Sequence, residues 1–185
     1  GNQVHRMVRR PTADPLEIRW DPDHGHLDPT ALVGIEAVVH LAGAGIANSR
    51  WTRSQMNRIL ESRTRGTKLL AHSLSKARSL GGPEVVVSGS ATGFYGDRGK
   101  ETLSEAWPRG TGFLADVCVA WDDATRDAER AGLRVVHARS GVVLAANGGL
   151  LARLLPLFRA GLGGRIGNGR LRVLASYWGT PCLII

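Results

Sequence analysis

Cysteine is almost missing from this chain: 185 residues contain two, Cys118 and Cys182, far apart in sequence. Neither a disulfide framework nor a Cys-x-x-Cys metal motif can be built from such a pair. Long apolar runs are missing too. The longest charge-free stretches, such as Ala37 to Ser49 and Ser140 to Ala152, carry glycines and fall short of the ~20 apolar residues of a membrane span, so no membrane partner is expected. Gly1 to Arg10 has no apolar signal-peptide core, and the expected location is cytoplasmic. Aromatics are sparse at 5%. Acids are scarce where bases gather: Arg50 to Arg78 holds eight Lys or Arg against the single Glu61, and seven Arg follow Ala131 with no acid. A net charge of +8 raises the question of an anionic partner. No nucleic-acid motif or aromatic-interleaved basic run accompanies the charge, so nucleic acid is not the expected partner; a phosphate-bearing small molecule or a solvated helix face accounts for it.

What is present is ordinary globular composition, 43% hydrophobic and 22% charged with 24 Gly and 8 Pro, which is enough to bury a core. Short β patterns cover Gln3 to Val8 and Leu16 to Trp20, the first stopped by Arg9-Arg10-Pro11. A loop with Pro, Gly and His follows from Asp21 to Pro29, then a short helix near Thr30 to Leu32. Glu36 to Gly43 reads as a buried strand running into a glycine turn. Trp51 to Ala77 places Met56, Ile59, Leu60, Leu70 and Leu74 on one helical face, with Gly66 marking close packing. Pro83 to Val87 is the next strand and opens into the small-residue loop Ser88 to Gly93. Phe113 to Ala131 reads as one amphipathic helix with Gly132 as its stop. Strands at Arg134 to His137 and Gly141 to Leu144, a turn at Asn147-Gly148-Gly149 and a helix over Leu150 to Ala160 complete the pattern. Alternation of this kind implies an α/β fold with a doubly wound parallel sheet, which binds ligands beyond the carboxyl ends of its strands.

Those ends carry His40-Leu41-Ala42-Gly43, Ser90-Ala91-Thr92-Gly93-Phe94-Tyr95-Gly96 and Arg139-Ser140-Gly141-Val142-Val143-Leu144; Arg50-Trp51-Thr52, Glu61-Ser62-Arg63, Gly112-Phe113-Leu114-Ala115 and Gly161-Leu162-Gly163-Gly164 lie between and after them. In order and spacing the set resembles the short-chain dehydrogenase/reductase superfamily. It is most similar to the extended branch of nucleotide-sugar epimerases and dehydratases, and within that to an atypical group called epimerase family proteins, sometimes labelled cell-division inhibitors. The resemblance covers about Gly1 to Arg170. It implies a Rossmann-like NAD(P)-binding domain over residues 1–169, followed by an atypical tail over 170–185. It also implies that the first βα unit, with its glycine-rich turn for the pyrophosphate, and the C-terminal substrate lobe fall outside the sequence.

The resemblance further implies site residues. Arg9 and Arg10 stand where members that prefer NADP place arginines near the 2′-phosphate, with no carboxylate expected to compete before Asp14, so NADP is the expected cofactor, with NAD as the alternative. Leu41, Ala42 and Gly43 form the turn along the adenosine ribose, and Arg63, Ser88, Arg139 and Ser140 join them as cofactor-binding residues. Ser90 occupies the catalytic serine position. The Tyr-x-x-x-Lys pair is replaced by Val117 and Trp121, neither of which transfers a proton, so Tyr95 becomes the catalytic candidate beside Ser90, with Cys118, Asp116 and His137 as substitutes that burial or helix exposure explains equally well. The implied activity is that of an NAD(P)-dependent oxidoreductase or isomerase acting on a nucleotide-sugar-like small molecule; the rival is a catalytically silent NADP-binding regulatory module. The His24-x-His26 segment with Asp21, Asp23 and Asp28 lacks helical ligand spacing, and no metal site is expected there.

Overall fold

A computed structural model describes residues 1–46, 49–145, 149–164 and 175–177. Strands β1 (Arg6–Val8) and β2 (Glu17–Arg19) pair in parallel, Met7 opposite Ile18. After a 3₁₀ turn at Pro29–Leu32 come β3 (Ala37–His40), α1 (Arg53–Arg78) and β4 (Val85–Ala91). Strand β3 pairs in parallel with β4, His40 opposite Ser88. A second 3₁₀ turn, Thr92–Tyr95, leads through a long loop to α2 (Phe113–Asp123), α3 (Arg126–Arg130), β5 (Arg134–Ser140), β6 (Val142–Ala145), α4 (Gly149–Arg159) and β7 (Ala175–Tyr177). The strands form three ladders, β1-β2, β3-β4-β5 and β6-β7, the last again parallel. The α/β pattern with parallel pairing read from the sequence is therefore present.

The chain divides into two compact units, Gly1–Gly89 with Val119–His137, and Ser90–Cys118 with Ala138–Ile185. In the first, Ile18, Trp20, Val38, Leu70, Leu74 and Val86 form one buried cluster with Ala128 and Leu133. Helix α1 begins at Thr52, whose Oγ1 accepts the backbone N–H of Gln55, and it ends with Lys76 and Arg78 in the last turn, where cations suit the helix dipole. Gly66 is the close approach that the sequence indicated: a Cβ there would lie 2.9 Å from the Trp20 ring. In the second unit α4 packs on β6.

The single helix expected over Phe113 to Ala131 is two. Thr125 Oγ1 donates to the Asp122 carbonyl at 2.7 Å and lies 3.1 Å from His137 Nε2, while Ala124 and Thr125 donate their backbone N–H groups three residues back. A threonine hydroxyl competing for a helix carbonyl tightens the turn and restarts the helix. The boundary expected after Gly169, the Asn147-Gly148 turn, Arg165 to Gly167 and Cys182 lie outside the described residues. Among the described residues no helix is long and apolar enough to cross a membrane, and no His, Cys, Asp or Glu cluster is arranged to hold a metal.

Candidate functional site

The first unit contains a cleft of about 1100 Å³ walled by the end of β1, the turn after β3 and one face of α1, a volume in the class of cofactor sites. The β3 turn is stitched to α1 by two side chains. Ser62 Oγ accepts the Ala44 N–H at 3.0 Å, and Arg63 Nη1 donates to the Ala44 and Ile59 carbonyls at 3.0 and 3.1 Å. Gly43 lies flat against this guanidinium; a Cβ would sit 3.2 Å from its central carbon. Leu41, Ala42 and Gly43 thus line the cleft with Arg63 braced behind the turn.

Arg9 also lines the cleft, its guanidinium 5.6 Å from the Trp20 ring centroid. Arg10 does not share that role. Glu17, its carboxylate almost fully enclosed, takes Arg10 Nη2 at 2.8 Å, Arg6 Nη2 at 3.0 Å and the Thr12 hydroxyl at 2.7 Å. The competing carboxylate that the sequence placed no nearer than Asp14 comes instead from the adjacent strand, because parallel pairing puts Arg6 opposite Glu17. Three further arginines in the cleft, Arg53, Arg58 and Arg65, were not singled out from the sequence. The signal was there: Ser54, Arg58, Glu61, Ser62 and Arg65 repeat at three- and four-residue spacing, which puts them on one helical face.

Behind the cleft lies a buried polar chain. The Trp20 ring meets His40 edge-on at 5.4 Å, His40 Nε2 is 3.0 Å from Thr67 Oγ1, and Thr67 accepts the Trp121 indole N–H at 3.0 Å. Burial pushes His40 down to about 4, so the imidazole stays neutral. Trp121 also packs over Gly89, where a Cβ would fall 2.9 Å from its ring, and carries the Arg63 guanidinium 5.1 Å above its centroid. Trp121, which the sequence resemblance sets in place of a lysine, is a core residue. Ser88 is buried on β4, its hydroxyl 3.4 Å from the Gly89 carbonyl.

The second unit holds Ser90, Tyr95, Arg139 and Ser140. Ser90 is 5% exposed, and its Oγ has no hydrogen-bond partner among the described residues. Tyr95 is enclosed, and its hydroxyl accepts from Arg139 Nη1 at 2.9 Å, while that guanidinium lies 3.8 Å over Phe94. Ser140 is exposed. Of the substitute acids, Asp116 pairs with Arg109, Cys118 is buried with Sγ 3.7 Å from the Ala91 carbonyl, and His137 is taken by Thr125.

Residues 4–160 match the profile of the NAD dependent epimerase/dehydratase family. The chain belongs to that family. An epimerase family protein of Mycobacterium bovis is 43% identical over 167 residues, 90% of this chain and 54% of that protein. Among solved structures, a nucleoside-diphosphate sugar epimerase from Corynebacterium glutamicum superposes with a TM-score of 0.77 at 36% identity, covering 94% of this chain and 35% of that one. Human epimerase family protein SDR39U1 with NADPH gives 0.78 at 31% identity, covering 96% and 58%. The chain spans about half the length of the curated relatives it matches, and its fold is Rossmann-like. The family's nicotinamide dinucleotide is chemically suited to the cleft: the four arginines that line it, Arg9, Arg53, Arg58 and Arg65, are exposed cations toward which its phosphates are drawn.

Proposed function

We propose that this chain is the NADP-binding part of an epimerase-family oxidoreductase or isomerase whose substrate is nucleotide-sugar-like. The observation that carries the cofactor reading is Arg9 stacked over Trp20 at the rim of an arginine-lined cleft, because guanidinium groups bind phosphate bidentately and discriminate the phosphorylated dinucleotide from NAD. The NADPH bound by human SDR39U1 supports it. Gly43 lets a ribose approach the backbone, and Arg58 and Arg65 add charge along the same wall.

When bound, the dinucleotide supplies hydride transfer. The residues that the family resemblance assigns to proton transfer are two hydroxyls of the second unit. Ser90 Oγ is enclosed and, among the described residues, without a hydrogen-bond partner, so its proton is uncommitted. Tyr95 accepts from Arg139, which turns its own proton away from the guanidinium and leaves it available to an acceptor.

Titration of NADPH and NADH into the protein, followed by nucleotide fluorescence, tests the cofactor. Preference for NADPH by about tenfold or more is expected, the worth of one or two charge-assisted hydrogen bonds; equal affinity sinks the reading. The second reading, a regulatory module that binds NADP without turnover, is favoured by one observation: Val117 and Trp121 are buried where proton-transfer groups would stand. Turnover of a carbonyl panel that disappears in Ser90→Ala decides for the enzyme, and tight binding without turnover decides for the module.

A further inference from the structure

This inference rests on the NADP reading and concerns what occupies the phosphate's place before the cofactor arrives. Arg9 and Arg65 reach the cleft from different elements, the end of β1 and the middle of α1, and one carboxylate serves both. Asp23 Oδ2 is 3.4 Å from Arg9 Nη1, and Asp23 Oδ1 is 4.0 Å from Arg65 Nη1. All three side chains are more than half exposed. Charge-assisted hydrogen bonds close to about 2.7–2.9 Å, so these are loose contacts between solvated groups, each contributing little. The contrast lies on the same strand pair: Glu17 holds Arg10 at 2.8 Å from within an enclosed site.

Neither guanidinium depends on the Asp23 carboxylate alone for its position. Arg65 Nη2 donates to the Pro22 and Asp23 backbone carbonyls at 3.4 and 3.2 Å, and Arg9 lies over the Trp20 ring. If the carboxylate left, both cations would remain at the cleft wall, two arginines around one anion-sized gap. A phosphate monoester brings more charge than a carboxylate and three acceptor oxygens, enough to engage both.

We propose that Asp23 is an internal counter-anion: it occupies the site of an adenosine 2′-phosphate between Arg9 and Arg65, and the phosphate displaces it. Arg65 is then a phosphate ligand in its own right. Asp23 sets how strongly the chain binds the phosphorylated nucleotide.

The test is NMR titration of the chain with 2′-AMP and with 5′-AMP, in wild type and in Asp23→Asn, Arg65→Gln and Glu61→Gln. Glu61 is a second exposed acid of the same cleft and controls for a general loss of negative charge. Asp23→Asn is expected to tighten 2′-AMP binding about two- to fivefold and leave 5′-AMP unchanged, the range of an exposed ion pair. Arg65→Gln is expected to weaken 2′-AMP about tenfold, and Glu61→Gln to do neither. Unchanged thermal midpoints confirm that the variants are folded. Weaker 2′-AMP binding in Asp23→Asn, or an equal gain in Glu61→Gln, overturns the proposal while leaving the NADP reading standing. A wild-type chain that does not distinguish 2′-AMP from 5′-AMP removes the NADP reading, and this inference with it.

Discussion

His40 shows how a polar residue is tolerated in an apolar place. It sits inside the buried chain Trp20–His40–Thr67–Trp121, where burial keeps the imidazole neutral and its Nε2 shares a hydrogen bond with the Thr67 hydroxyl. Its folded value of about 4 lies below the ordinary 6.5, so the unfolded chain binds a proton in a range where the folded chain does not. Stability from this residue is complete above pH 6.5 and is lost as pH falls toward 4, by up to about 3 kcal/mol. Urea unfolding at pH 7 and pH 4.5 measures it: His40→Asn is expected to be less stable at pH 7 and to lack this part of the acid slope. An identical slope in the variant would mean that desolvation of His40 is not what drives the loss. Gly66 gives the second prediction at this scale. Alanine is a better helix former, yet its Cβ would stand 2.9 Å from the Trp20 ring, and the ring is walled in by His40. Gly66→Ala is expected to destabilise by about 1–3 kcal/mol by overpacking, a reversal of the propensity order that thermal unfolding detects.

Helix α1 carries both the core and the cleft, and its start is set by a single hydroxyl. Thr52→Ala removes the acceptor for the Gln55 N–H and is expected to cost about 0.5–2 kcal/mol, with Thr52→Ser recovering most of it; denaturant midpoints of the three proteins decide. The helix was legible from its apolar spacing to within two residues at each end, because twenty-six residues repeat the pattern many times. The break between α2 and α3 was not legible. Apolar periodicity runs through Thr125 without interruption, and what stops the helix is a side-chain bond to the Asp122 carbonyl, with His137 of another element fixing the hydroxyl. The short strands before the tail were readable as strands, whereas β7, inside the stretch read as an atypical tail, was not, and none of their partners was legible. Placing Glu17 against Arg6 and Arg10 required the β1-β2 register, and that register turned one of two adjacent arginines into a strut.

At the scale of the whole molecule, binding and stability are one equilibrium. A ligand present at a hundred times its Kd stabilises the folded chain by about 2.7 kcal/mol, so NADPH is expected to raise the thermal midpoint more than NADH at the same concentration, and added salt to shrink the difference because the cleft arginines are solvent-exposed. Equal shifts from both nucleotides would remove the phosphate from the account. Alternation of apolar segments and the run of motifs at the strand ends determined the α/β class, the family and the position of the β3 turn by sequence alone, since those features depend on local spacing. Which arginine faces the cleft, the burial of Trp121 and the Asp23 carboxylate between two guanidiniums were decided only by tertiary structure. Each of these is a meeting of side chains from separate elements, and the distance between elements is fixed by packing and strand register.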